Sequence, residues 1–285
     1  MRTHPLCIPC VLYQVQRMAE KIRREDMLEE ITKGALKVIK DLSLDDPPNI
    51  YTTYPILEAY RILKTDDPYK EEKREESRIV GEFIPKIEDR LKLSDDPLFL
   101  SLLYAAMGNS VDVGAQSRGF DLKKELERAE EKGFAHNDYE ILKERLNNAR
   151  SILYILDNTG EVYFDRLVLE YLKGFRIKVV VKSAPILNDV CEQEAKEVGL
   201  DRIAEIIPTG SRFLGIDFRS ISEELREALK SSDVVIAKGH ANFESLVDRD
   251  RDCFFLLKAK CRIVAEKLGV GVGDFALYYY NPRGV

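Results

Sequence analysis

The chain has 285 residues, with 44 basic and 50 acidic side chains and a formal charge of -6. That length suits two modest domains or one large one, and that charge excludes the broad cationic face of a nucleic-acid or membrane-surface binder. Hydrophobic residues at 45% suffice for a packed core, yet no apolar run approaches the roughly 18 residues of a membrane-spanning helix. Five cysteines, a low and odd number, read against a disulfide-built secreted domain and for a reducing cytoplasm. No signal peptide is read at the start.

Residues 1–150 read as a helical domain. Leu12, Val15, Met18, Ala19 and Ile22 recur at helical steps, as do Leu28, Ile31, Ala35, Val38 and Ile39. Asp45-Asp46-Pro47-Pro48, Asp66-Asp67-Pro68 and Asp95-Asp96-Pro97 each place acids before proline, which starts a helix and ends what precedes it. The charged run from Lys70 to Glu76 reads as a solvated helix face.

After Arg150 the pattern changes. Apolar runs at 151–156, 177–181, 204–207, 234–237, 253–257 and 275–280 read as strands, with helical stretches at 163–172, 190–198, 222–229 and 259–268 between most of them. The expected fold is therefore α/β: an all-α domain over 1–150, then over 151–285 a mostly parallel Rossmann-like sheet with helices on both faces. No glycine- or serine-rich linker divides the two, so they are expected to share a cleft.

Ligands of open parallel sheets bind beyond the C-terminal strand ends. Four strands here run into polar segments: Asp157-Asn158-Thr159-Gly160-Glu161, Lys182-Ser183-Ala184-Pro185 with Asn188-Asp189, Pro208-Thr209-Gly210-Ser211-Arg212, and Lys238-Gly239-His240-Ala241-Asn242-Phe243-Glu244. Asp157, Asn158 and Asp189 offer hard oxygen donors suited to Mg²⁺, Mn²⁺ or a related divalent ion. Lys238 and the N–H groups near Gly210 and Gly239 are placed to hold a phosphate opposite that metal. Ser211 and Asn242, in the same strand-end segments, are candidates for substrate contact. Each signal has a plainer reading: a strand-ending turn for Asp157-Asn158, a helix cap for Asn188-Asp189, a first-turn acid for Glu161.

These segments carry a resemblance to the damage-control phosphatases, the domain-of-unknown-function-89 family. It extends to Gly108-Asn109-Ser110-Val111-Asp112 and Leu256-Leu257-Lys258-Ala259-Lys260-Cys261, and Cys7-Ile8-Pro9-Cys10 resembles the Cys-x-x-Cys of the stand-alone prokaryotic branch. His240 and Ala241 stand where the family often has Gln and Gly. The resemblance implies metal-dependent hydrolysis of phosphate monoesters of small metabolites, such as sugar phosphates or phosphorylated cofactor fragments. It further implies Mn²⁺, Co²⁺, Ni²⁺ or Mg²⁺ on Asp157, Asn158 and Asp189, Lys238 at the phosphate, and Asn109 and Asp112 lining the cleft from the helical half.

Metal-activated water, aided by Glu161, is the preferred nucleophile over an aspartate, because the Asp-x-Asp of haloacid-dehalogenase-type enzymes is absent. Two other readings remain: a carboxyl methyltransferase using S-adenosylmethionine, and a non-catalytic phospho-ligand module. No Gly-x-Gly-x-x-Gly follows the first strand, which speaks against the former. Cys7 and Cys10 read as packing, then metal, then redox residues; Cys191, Cys253 and Cys261 read as core thiols. The oligomeric state is not legible.

Overall fold

The structure is a computed structural model that describes residues 1–108 and 122–284. It opens with five helices: α1 (Cys7–Lys21), α2 (Leu28–Asp41), α3 (Pro48–Leu63), α4 (Lys70–Lys92) and α5 (Pro97–Gly108). The Asp-Pro signals mark their starts as expected. Pro48 opens α3, and Asp96 Oδ1 accepts the Phe99 N–H at 3.0 Å in the first turn of α5. Helix α5 is apolar all round and buried from Ser101 to Gly108, the mark of a helix enclosed by other elements.

After α6 (Leu122–Lys132) comes a short strand, β1 (Phe134–Asn137), and then α7 (Tyr139–Asn147). This strand corrects the expectation that 1–150 is all helix. Phe-Ala-His-Asn carries no β-branched residue; its strand form comes from parallel pairing, as the edge strand, along β7 (Phe275–Tyr280). The remaining elements alternate: β2 (Ser151–Ile155), α8 (Val162–Tyr171), β3 (Arg176–Val181), α9 (Glu192–Glu197), β4 (Glu205–Pro208), α10 (Glu223–Ser231), β5 (Val234–Lys238), α11 (Gly239–Leu246), β6 (Cys253–Lys258), α12 (Arg262–Leu268) and β7.

The strands form one seven-stranded sheet in the order β1-β7-β6-β5-β2-β3-β4, parallel except for β6 against β7. From β2 the chain moves outward to β3 and β4, and from its neighbour β5 it moves the other way, to β6 and β7. The boundary between β2 and β5 is thus the topological switch point, where a crevice opens past the strand ends.

Alternation along β2 divides the core. Ile152 and Tyr154 join a cluster with α4 to α9, while Leu153 and Ile155 join a second cluster with α10, α11 and α12. The change of pattern near Arg150 is therefore not a break in packing, because α4 to α7 cover one face of the sheet. Helices α1 to α3 form a separate cluster that reaches Ile186 and Leu214 in the strand-end loops.

The expected solvated face on α4 holds for Lys70, Glu71, Arg74 and Glu75, which are exposed, but not for the whole run. Lys73 and Glu76 are buried, and Lys73 Nζ lies 2.8 Å from Asp67 and 2.7 Å from Glu194, joining α4 to α9.

At the other ends of the strands, Asp233 pins β2 to β5. Its Oδ2 accepts the N–H groups of Arg150 at 2.8 Å and Ser151 at 2.9 Å, and the Ser151 hydroxyl at 2.8 Å. Those donors, the Arg150 amide foremost, hold its carboxyl below the usual range. A depressed folded-state pKa contributes stability above the unfolded value, and that stability is lost as pH falls through the folded one. Asp233→Asn is expected to lower Tm by a few degrees at neutral pH, with the difference closing below about pH 4; thermal melts across pH check this.

Candidate active site

Two loops at the switch point are zipped together. Past β2, the Asp157 carbonyl accepts the Val190 N–H at 2.9 Å, and Thr159 N–H donates to the Asn188 carbonyl at 2.8 Å. Asn158 and Asp189 thereby form an antiparallel bridge. The sequence placed Asp157-Asn158 and Asp189 on two strand-end segments, and the structure brings them side by side.

Asp157 and Asp189 are buried. Asn158 Nδ2 donates to Asp157 Oδ2 at 2.9 Å and to Glu161 Oε1 at 2.6 Å. Burial raises the Asp157 carboxyl well above its ordinary pKa, and the neighbouring Glu161 and Asp189 raise it further. Burial likewise pushes Asp189 up to about 6, against the opposing pull of Lys182, whose Nζ lies 3.5 Å from Oδ2. Acids crowded in a low-dielectric site cannot all ionise unless a cation joins them.

Gly239 explains how β5 approaches this cluster. Its φ is +75°, and a Cβ there would lie 1.9 Å from Asp157 Oδ2. Gly239→Ala is expected to displace that carboxylate, costing about 10²-fold in kcat/KM and about 1–2 kcal/mol in stability; kinetics and a denaturant titration check both.

Lys238 is not where the sequence placed it. Its side chain is fully buried beneath the cluster, with Nζ 2.7 Å from Glu161 Oε2 and 2.8 Å from Asp165 Oδ1. Burial disfavours the ammonium, but Asp165 and Glu161 more than offset this and hold its pKa above the ordinary lysine range. Burial pushes Asp165 up to about 6 despite Lys238. Asp165 also accepts the Tyr154 hydroxyl at 2.7 Å. Sequence reading missed Asp165; its signal was an acid one helical turn past Glu161, inside an apolar stretch.

Two other candidates are likewise corrected. Asn242 is buried, and its Nδ2 ties the strand ends by donating to the carbonyls of Leu156 at 2.9 Å and Lys238 at 2.7 Å. Ser211 sits in a turn, where its carbonyl accepts the Thr209 hydroxyl at 2.8 Å. Neither is among the described residues that line the cleft. The Gly210 N–H, expected at a phosphate, donates to Ser183 Oγ at 2.7 Å. Asn109 and Asp112 lie outside the described residues.

Above the cluster lies a cleft of about 550 Å³. Asp157, Asn158, Glu161 and Asp189 form its acidic floor; Arg17 and Lys21 of α1 with Glu72 and Glu76 of α4 form one wall; His240, Ala241, Glu244, Lys258 and Lys260 line another. Lys260 favours the ionised form of Asp157. Lys260 lines the cleft together with Lys258 and Arg17, whereas Lys238, to which the sequence reading gave the phosphate, does not. Cys10 also lines the cleft, and both Cys10 and Cys261 are exposed, so Cys261 is not the core thiol expected. Cys253 is buried as expected.

A buried acidic floor at the switch point of a mostly parallel sheet, roofed by helices, defines an α/β protein with a cleft at its strand ends. The damage-control phosphatase ARMT1-like domain matches residues 3–275, and the chain belongs to that family. A damage-control phosphatase of Pyrococcus horikoshii is 33% identical over 96% of each chain. A damage-control phosphatase of Archaeoglobus fulgidus is 31% identical over 96% of this chain and 98% of its own. The crystal structure of a DUF89 family protein from Pyrococcus horikoshii superposes with a TM-score of 0.89 at 32% identity, covering 97% of this chain and 98% of that one. No helix among the described residues is long and apolar enough to cross a membrane.

Proposed function

We propose that this chain is a metal-dependent phosphatase hydrolysing phosphate monoesters of small metabolites, with a damage-control role like that named for its relatives. The observation that carries this reading is the zipped pair of loops that buries Asp157 and Asp189 beside Asn158 at the floor of the cleft.

These residues fit a divalent cation. All offer hard oxygens, and the raised carboxyls are the electrostatic signature of a floor that a cation would relieve. Among the described residues no three His, Cys, Asp or Glu side chains already stand as a ligand set; the set proposed here is two carboxylates and one carboxamide. Mn²⁺, Co²⁺, Ni²⁺ or Mg²⁺ held there would neutralise phosphoryl oxygens. Lys260 faces the same anion from the wall. Lys238 acts from below as a positioning residue: it holds Glu161, which in turn receives the Asn158 amide and orients it. The attacking group is a water, with Glu161 the nearby carboxylate that orders it.

Assay of p-nitrophenyl phosphate with each of the four metals tests the reading. Turnover that requires metal and is lost with EDTA supports it. Metal-independent methyl transfer from S-adenosylmethionine would overturn it, and calorimetric metal binding without turnover would favour a non-catalytic module.

A further inference from the structure

The floor and Lys260 account for the phosphate, but not for the oxygen that leaves it. An alkyl leaving group needs a proton as its bond to phosphorus breaks. Helix α11 presents His240, Ala241 and Glu244 to the cleft, a spacing that puts them on one helical face. Asn242, Phe243 and Ser245 turn into the protein and fix that orientation.

Several groups in the cleft are already committed. Glu161 is paired with Lys238, and Glu72 with Lys21. His240 Nε2 is held between the Lys260 N–H at 2.8 Å and the Lys258 carbonyl at 3.0 Å. Burial also pushes the His240 pKa down to about 3. Among the described residues nothing hydrogen-bonds or ion-pairs with the Glu244 carboxyl. Facing it are the thiols of Cys7 and Cys10 from α1, themselves near Cys261, and the Met1 amine, whose N–H donates to the Glu244 backbone carbonyl at 3.2 Å. On its cleft side are His240, Lys258 and Lys260.

We propose that Glu244 is the general acid of the phosphatase reaction, donating its proton to the leaving oxygen of alkyl phosphate monoesters. This rests on the phosphatase reading above. A water oxygen bonds to phosphorus as the ester P–O bond breaks. The electron pair of that bond goes to the leaving oxygen, which takes the Glu244 proton and departs as an alcohol. The proton lost by the attacking water passes to solvent, and solvent returns one to the Glu244 carboxylate. Ester and water become alcohol and phosphate. Burial pushes the Glu244 carboxyl up to about 8, so the acid form is present at neutral pH.

The test compares glycerol phosphate, whose alkoxide needs a proton, with p-nitrophenyl phosphate, whose phenolate does not. Glu244→Gln is expected to lower kcat on glycerol phosphate about 100-fold and on p-nitrophenyl phosphate by less than about fivefold. Wild-type kcat on glycerol phosphate is expected to fall as pH rises through about 8, a limb absent with the aryl ester and absent in the variant. Equal losses on both esters, no loss on either, or the same alkaline limb for both would overturn the proposal. If the variant does not fold, the wild-type profiles on the two esters decide alone. If the wild type hydrolyses neither ester, the phosphatase reading itself fails, and the acid role with it.

Discussion

Asp157→Ala is expected to lower metal-dependent phosphatase activity by at least about 10³-fold while leaving the fold in place. The magnitude follows from removing one preorganised charged group at a transition state, about 4 kcal/mol in the barrier. Asp157 sits where the two halves of the sheet diverge. Its carbonyl zips the loop to Val190, its carboxylate takes the Asn158 amide, and its Oδ2 lies against the backbone of Gly239, the first residue of α11. Stability should not suffer in proportion, because the side chain is a buried carboxylate raised by its neighbours. Removing a repelled buried charge relieves strain in the absence of metal. The expected signature is therefore lost turnover and lost metal affinity, with an unchanged or higher Tm without metal. Calorimetric titration and thermal melts with and without Mn²⁺ read this. Full activity in the variant would remove Asp157 from the site.

Lys238→Met is expected to act in the opposite way, through stability first. The ammonium lies fully buried between Glu161 and Asp165, and its removal leaves two buried acids without their counter-charge. Breaking a buried pair in this manner costs about 3–5 kcal/mol, a drop in Tm of about 10 °C for a chain of this size. The triple change Lys238→Met, Glu161→Gln, Asp165→Asn is expected to recover most of that stability, since it leaves no unpaired buried charge, but not the activity. Denaturant titrations of both variants separate the two effects. A phosphate-contacting lysine at the surface of the cleft would show the reverse pattern, with activity lost and stability kept.

Much of the sheet was legible in the sequence. The runs at 177–181, 253–257 and 275–280 match strands Arg176–Val181, Cys253–Lys258 and Phe275–Tyr280 to within a residue. Buried parallel strands must be continuously apolar, and that pattern is local. The strand Phe134–Asn137 was not legible, because it forms by pairing with β7.

At the site, strand-end position pointed to Asp157, Asn158, Glu161 and Asp189, and these do meet at one floor. The same rule misplaced Lys238, Asn242 and Ser211. Position at a strand end limits a residue to one edge of the sheet. It does not say if the side chain rises into the cleft or turns down into the core. For Lys238 the deciding fact is Asp165, which α8 brings beneath the strand end; a buried lysine is held where two acids meet it. Similarly, Lys73 and Glu76 looked like solvated charges on α4 until the packing of that helix against α8 and α9 enclosed them.

The sequence by itself determined the alternation of strands and helices, the edge of the sheet that carries polar chemistry, and the oxygen-donor character of that edge. All three depend on local composition and chain order. Only the tertiary structure decided which charges meet at the floor, which are buried partners and which line the wall. Those roles depend on the distances between residues far apart in the chain: Lys238 to Glu161 at 2.7 Å, Asn158 bridged to Asp189, and the α1 and α4 side chains closing over the floor. The net charge of -6 is a case in point. Part of that acidity is concentrated at one buried floor, where the energy of each charge is set by its neighbours and its burial, neither of which a whole-chain count contains.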